Sequence, residues 1–484
     1  MILASLVLAA TFTRTMERVA TTDPAFSQSV YDSRVVQLLY EPLLKVDYLA
    51  RPYKLTSGYC ELPDVSPDGL VYTFRTLHGP AKDVVDSVER LRDPDLVSPN
   101  SWLLKSVDTI EATDENTVVF RMKSRCHFFP WLMAMSPAAV RRPDGSGTGP
   151  FELTSWRKNH EMVFTRKVPE PGKFDTLRYL VIDDLSTQWL MFLKGELDFL
   201  GEISKDNWDA VMGKDGNLDP QLVAEGVKLH SIATLDTFYI GINLRDPVLG
   251  PNKKLRQALN AAFDYPRWEE YFSKRTAPAD GPVPPGVDGK LVSPFPYAFN
   301  LELAKKLVEE AGYPGGIDPK TGRRLTLTLS FGKASTSTRE MGELLASFYE
   351  KIGIKLELAF QTWDAFLKAV NEGRVQLYNM GWVGDYPDAE NFLQLFYGPN
   401  AAPGPNRCCY SNPAYDALFR EAMAAPPERR LALYGEMQRI LKEDCPWIFV
   451  SHAVSAALSG PRVAGYRAHD FPYGMEKHLR AAGE

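Results

Sequence analysis

The chain has 484 residues, 44% of them hydrophobic and 24% charged, so two or three domains are expected rather than one core. A formal net charge of −6, with no basic run longer than a pair or two, excludes nucleic acid as the main partner, because phosphate binding leaves a basic footprint. Five cysteines without a CxxC pair exclude a zinc ribbon or thioredoxin-type motif, and whether two of them form a disulfide cannot be read from spacing.

The run Ile2-Leu-Ala-Ser-Leu-Val-Leu-Ala-Ala10 is apolar and ends in small residues. It is too short to span a bilayer. Its length suits a secretory h-region, although no Lys or Arg precedes it, so export is expected through a short, atypical signal, with a buried first strand as the alternative. No cysteine follows before Cys60, which leaves a lipoprotein anchor nothing to attach to. Val35, Val36, Leu38 and Leu39 predict a helix ending near Tyr40, stopped by Pro42. Ser66-Pro-Asp-Gly69 is a turn before the alternating strand Leu70–Arg75, and Thr109–Ala112 with Thr117–Met122 forms a second strand pair. Together with a helix at Asp83–Leu91 these predict a small β-rich domain over residues 46–149.

Asp144-Gly-Ser-Gly-Thr-Gly-Pro-Phe151 satisfies neither GxGxxG nor GxxxxGK[ST], so it reads as a crossing between domains and not as a phosphate loop. Strands at Tyr179–Ile182, Leu197–Leu200 and Thr237–Leu244 and a helix at Thr187–Lys194 give the following stretch an α/β texture, and Asp183-Asp184 suits a strand-to-helix turn with a capping role. A helix over Lys253–Phe263, capped by Asn252, precedes an irregular Pro/Gly-rich passage from Pro278 to Pro296. Asn300 caps a second helix that Gly312 closes, and strands are expected at Leu325–Phe331, Ile354–Phe360 and Val375–Trp382, with helices at Thr338–Ile352 and Thr362–Glu372 between them. Helices Asp416–Met423 and Pro427–Glu443 lead to a last strand, Pro446–Val450.

The chemistry concentrates in Asn379-Met-Gly-Trp-Val-Gly-Asp-Tyr-Pro-Asp-Ala-Glu-Asn391, at the end of a strand in an α/β sheet, where such sheets bind ligands. Gly381 and Gly384 let the backbone approach something closely or take positive φ. Trp382 and Tyr386 add flat apolar surface with polar edges beside Asp385, an arrangement suited to a cationic or amphipathic ligand. Asp388 and Glu390 read as solvated or structural acids. No GxSxG, HExxH or Walker sequence is present, so no enzyme is expected. The seven histidines show no close ligand spacing, and neither a metal nor a cofactor is expected.

These pieces, taken in order, resemble family 5 extracellular solute-binding proteins, the oligopeptide/dipeptide-binding type of ABC importers. The resemblance rests on Tyr40-Glu-Pro-Leu-Leu44, Ser66-Pro-Asp-Gly69, Tyr72-Thr-Phe-Arg75, Asp83-Val84, Glu89-Arg90, Gly147-Thr-Gly-Pro-Phe151 and Gly195-Glu-Leu-Asp198. It continues through Leu255-Arg-Gln-Ala-Leu259, Ala304-Lys-Lys-Leu307, Glu310-Ala-Gly-Tyr313, Gly381-Trp382, Asp385-Tyr-Pro-Asp388 and Tyr410-Ser-Asn-Pro413. It implies a two-lobe, hinged α/β periplasmic-binding-protein fold of type II and the large three-subdomain kind, with mixed sheets. The lobes would be 1–45, 150–244 and 447–484 for the first, with 46–149 as its small β-rich subdomain, and 245–446 for the second.

The resemblance further implies an exported monomer, peripheral to the membrane, that hands peptides to a permease and ATPase complex. Relatives of the same fold for nickel complexes, haem, glutathione or sugars are the alternative, and a peptide hydrolase is a remoter one. Asp385 occupies the position that pairs with a peptide α-amino group, with Gly381, Trp382 and Tyr386 around it. Arg339 is a candidate for the peptide carboxylate. Departures fall in the first lobe, where Leu77-His-Gly-Pro-Ala81 is shortened and Thr165-Arg-Lys-Val-Pro-Glu170 replaces an Arg-Asn…Tyr-Trp segment.

Overall fold

The computed structural model describes residues 10–16, 18–212, 217–471 and 473–482. The apolar run Ile2–Ala10, expected to serve export, lies outside them except for Ala10. The chain divides into two compact units, Met1–Ile232 with Ser455–Glu484, and Ala233–Val454.

In the first unit, strand Thr11–Thr15 runs parallel to Thr176–Leu180, which pairs antiparallel with Glu161–Arg166, itself paired with Phe151–Arg157. Phe12, Val35, Leu38, Phe151, Phe164, Leu177 and Phe199 pack together as the core beneath. The helix expected to end near Tyr40 spans Val30–Leu39, opened by a capping box between Ser29 and Asp32. Residues 46–149 contain the expected antiparallel sheet, with strands Asp64–Val65, Val71–Arg75, Thr117–Met122 and Val107–Ala112 in that order and helix Ala81–Glu89 alongside. The glycine-rich passage lies against a helix end. A Cβ at Gly147 would stand 2.1 Å from the Leu39 carbonyl oxygen and one at Gly149 2.4 Å from that of Leu38, so close approach, and no phosphate, requires these glycines. Asp184 caps helix Leu185–Leu193 by accepting from the Thr187 N–H at 2.7 Å, and Asp183 pairs with Arg18.

The second unit is built on strands Asp236–Ile242, Leu377–Val383, Thr326–Phe331 and Lys355–Phe360, adjacent in that order. The last three are mutually parallel and Asp236–Ile242 is antiparallel to its neighbour, so the sheet is mixed. One face carries Ile240, Ile242, Leu327, Leu329, Leu356 and Leu377 under helices Lys253–Ala261, Leu301–Glu310 and Thr336–Glu350, which contribute Leu255, Leu259, Leu307, Leu345 and Phe348. This is the helix-covered sheet that alternating α and β segments demand.

Two expectations change. The last strand is Trp447–Ser459, not Pro446–Val450, because Ser451 and His452, polar in sequence, are buried within it. Its final residues, Leu458 and Ser459, pair with Phe199–Leu200 in the first unit. Strand Asp236–Ile242, expected in the first lobe, pairs along its whole length with Leu377–Val383, so the division falls before it, between residues 232 and 233. The five cysteines are free thiols.

Candidate functional site

Strands Thr326–Phe331, Lys355–Phe360 and Leu377–Val383 are parallel, so their C-terminal ends share one edge of the sheet. The acidic loop leaves from that edge, and the segment that leads to Arg339 follows Phe331 there too. Gly384 makes the turn: its N–H donates to the Leu235 carbonyl at 2.6 Å, and a Cβ would stand 2.8 Å from the Phe392 ring. Neither Gly381 nor Gly384 has positive φ, so close approach is what they supply.

Asp385 is exposed, and the geometry around it is fixed by one residue that sequence reasoning missed. Asn391, 1% exposed, accepts through Oδ1 from the Trp382 indole N–H at 2.9 Å and from the Asp385 backbone N–H at 3.2 Å. Its Nδ2 donates to Asp385 Oδ2 at 3.4 Å. The only sequence signal was a polar residue inside the short apolar helix Glu390–Leu393. The surrounding protein pushes the Asp385 pKa above the usual carboxylate range by desolvation, partly offset by the Asn391 hydrogen bond, and no cation of the described residues contributes. The carboxylate is therefore reachable from solvent, partly desolvated and without a counter-ion among the described residues.

The other predicted residues separate into roles. Trp382 is half-buried, with its indole N–H committed to Asn391. Tyr386, 4% exposed, lies under the loop and donates its hydroxyl to Glu390 Oε2 at 2.5 Å, so it supports the turn from within. Gly381 is exposed and faces the Phe238 ring, to which a Cβ at 381 would come within 3.0 Å. Arg339 is exposed and lies over the Phe360 ring at 4.5 Å. Asp388 accepts from Tyr434 and from the Glu390 backbone N–H, both at 2.9 Å. Glu390 is not solvated: it is 5% exposed, and burial pushes its pKa up to about 8, with Asp388 and Asp385 adding in the same direction. Among the described residues no cluster of His, Cys, Asp and Glu could hold a metal ion.

The second unit is thus a mixed α/β unit with a carboxylate, Asp385, at the C-terminal edge of its parallel strands that has no cationic partner among the described residues. A family model described as bacterial extracellular solute-binding proteins, family 5 middle, matches residues 80–404. The chain belongs to this family, whose members are binding proteins of the kind that serves ABC importers, and it has their periplasmic-binding-protein fold. Heme-binding protein A of Haemophilus influenzae is 27% identical over 465 residues, 85% of this chain and 81% of that protein. Di/tripeptide-binding protein 2 of Pseudomonas aeruginosa is 27% identical over 455 residues, 84% of this chain and 82% of that protein. Among solved structures, HbpA2 from Haemophilus parasuis superposes with a TM-score of 0.85 at 23% identity, over 97% of this chain and 99% of that one. The Helicobacter pylori periplasmic binding protein DppA, in complex with the peptide STSA, gives 0.75 at 22% identity, over 98% of each chain. Among the described residues no helix is long and apolar enough to cross a membrane.

Proposed function

We propose that this chain captures short peptides outside the cytoplasm, receiving their α-ammonium group at Asp385, and passes them unchanged, as a monomer, to a membrane permease with its ATPase. The observation that carries the reading is the Asp385 carboxylate, open to solvent, held by Asn391 and without a cationic partner among the described residues. An ammonium placed there gains a charge-assisted hydrogen bond of about 1.5–3 kcal/mol. Main-chain hydrogen bonds to an extended peptide would add affinity without reading sequence. The Pseudomonas relative named for di- and tripeptides fits this chemistry. A cargo that presents carboxylates, as haem does, would meet like charge at Asp385. In this reading residues 46–149 form a subdomain of the first unit, and Tyr386 supports the site rather than touching the cargo.

The test is to incubate the purified protein with a defined mixture of di- to pentapeptides and identify what it retains by native mass spectrometry. Intact peptides bound one per chain support the reading. Cleaved peptides would identify a hydrolase, and retention of none from the mixture would remove peptides as the cargo.

A further inference from the structure

The apolar face of the second unit's sheet runs past the helices that cover it. Along Leu377–Val383 the residues of that face become steadily more open: Leu377 is 1% exposed, Asn379 is intermediate, Gly381 is exposed and Val383 is 69% exposed. Their register partners on the neighbouring strand open as far as Phe238, with Ile242 and Ile240 buried and Phe238 40% exposed, while Asp236, opposite Val383, is half-buried and spends its carboxylate on the Thr234 hydroxyl and the Ala453 N–H. The opposite face opens far less, since Thr237, Tyr239, Tyr378 and Met380 are buried and Trp382 is half-buried. Phe238 and Val383 therefore form an uncovered apolar strip, with Gly381 between them opposite the Phe238 ring. A β-branched residue and a phenyl ring left in water beside a glycine are not what sheet packing asks for.

The strip leads directly to the carboxylate. Asp385 follows Val383 by two residues, and the turn between them is pinned by the Gly384 N–H to the Leu235 carbonyl at 2.6 Å. An occupant must thus present an apolar group next to a cation. Two side chains and a glycine are far too small for a protein interface, which buries about 800 Å² per partner, and suit one side chain of a small ligand.

We propose that Phe238, Gly381 and Val383 read the first side chain of the cargo, selecting peptides whose N-terminal residue is a large apolar one. This rests on the reading of Asp385 as the ammonium partner and adds a specificity to it. Gly381 keeps the strip open, because a side chain there would fill the space against the Phe238 ring.

The test is calorimetric titration of the full chain with Leu-Gly, Phe-Gly, Ser-Gly, Asp-Gly and N-acetyl-Leu-Gly. Leu-Gly and Phe-Gly are expected to bind at least about tenfold more tightly than Ser-Gly, a difference of about 1.4 kcal/mol. In Phe238→Ala the same ratio is expected to fall below about threefold while Ser-Gly affinity stays within about twofold. Equal affinity for Leu-Gly and Ser-Gly in the wild type, or an unchanged ratio in Phe238→Ala, overturns the inference. If acetylation abolishes binding while first residues are not distinguished, the inference fails alone and Asp385 keeps its role. If neither these dipeptides nor any member of the di- to pentapeptide mixture binds, both fail.

Discussion

Asn391 and Glu390 are neighbours in sequence with opposite consequences for the site. Asn391 ties the Trp382 indole, the Asp385 backbone and the Asp385 carboxylate together, so it fixes where the acceptor points. Asn391→Ala is expected to weaken peptide binding roughly tenfold, the scale of one buried hydrogen-bonding group, and calorimetry on a folded variant measures it. Glu390 works on stability. Its pKa of about 8 lies above the ordinary 4.5, so the native state holds a proton that the unfolded chain releases, and stability falls as pH climbs from about 4.5 through 8. Glu390→Gln removes that ionisation, and its urea midpoint is expected to exceed the wild type's at pH 8.5, with the gain shrinking at pH 5. An equal difference at both pH values would contradict the assignment. Asp385 and its aromatic neighbours could be found in the sequence because acids, glycines and aromatics crowd one turn. Asn391 and the burial of Glu390 could not, since only the folded loop shows that the helix carrying them faces inward.

Helix Lys253–Ala261 shows why an element can be legible while its purpose is not. Its cap and apolar stripe are readable, yet nothing in the Leu-Arg-Gln-Ala-Leu stretch tells where Arg256 points. In the fold Arg256 is 6% exposed and donates to the carbonyls of Asp444 at 3.0 Å, Leu249 at 2.9 Å and Gly250 at 2.7 Å. Gln257 reaches the Glu443 carbonyl at 2.9 Å, and Asn260 bonds the Trp447 carbonyl at 2.9 Å and the Phe449 N–H at 3.1 Å. One helix therefore holds the end of helix Pro427–Asp444 and the start of the strand that follows it. Arg256→Ala would strand buried carbonyls, at about 1–3 kcal/mol for each left unsatisfied, and urea denaturation is expected to show a loss of roughly 3 kcal/mol. A loss below about 0.5 kcal/mol would mean that water replaces the guanidinium. The strand Trp447–Ser459 was read too short for a related reason: the burial of Ser451 and His452 depends on partners far away in sequence, the His452 Nδ1 meeting the Asp236 carbonyl at 2.7 Å.

At the scale of the whole chain, alternating helices and strands were enough to anticipate an α/β fold, and the ordered motifs enough to anticipate the family. The division between units was placed about a dozen residues late, because pairing of Asp236–Ile242 with Leu377–Val383 is long-range. Acid should weaken the molecule. Burial pushes the pKa of His452 and of His469 down to about 4 from 6.5, so each stays neutral in the native state. Their contribution is complete above about 6.5 and is lost as pH falls towards 4. In Glu390→Gln, where the opposing titration of Glu390 is removed, urea midpoints followed by far-ultraviolet dichroism and by tryptophan fluorescence, one probe for backbone and one for packing, are expected to fall over that window, and a flat response would show that these histidines titrate normally.

The central claim, that Asp385 receives an ammonium group, is tested most directly by titrating wild type and Asp385→Asn with one peptide that the wild type binds and with its N-acetyl form. The wild type should lose at least about tenfold in affinity on acetylation, and Asp385→Asn should bind the free peptide at least about tenfold more weakly while barely distinguishing the two forms. For the wild type, affinity should also fall as pH drops through the raised pKa of Asp385, because the carboxyl must lose its proton to accept the cation. Equal affinity of wild type and Asp385→Asn for the free peptide would contradict the account.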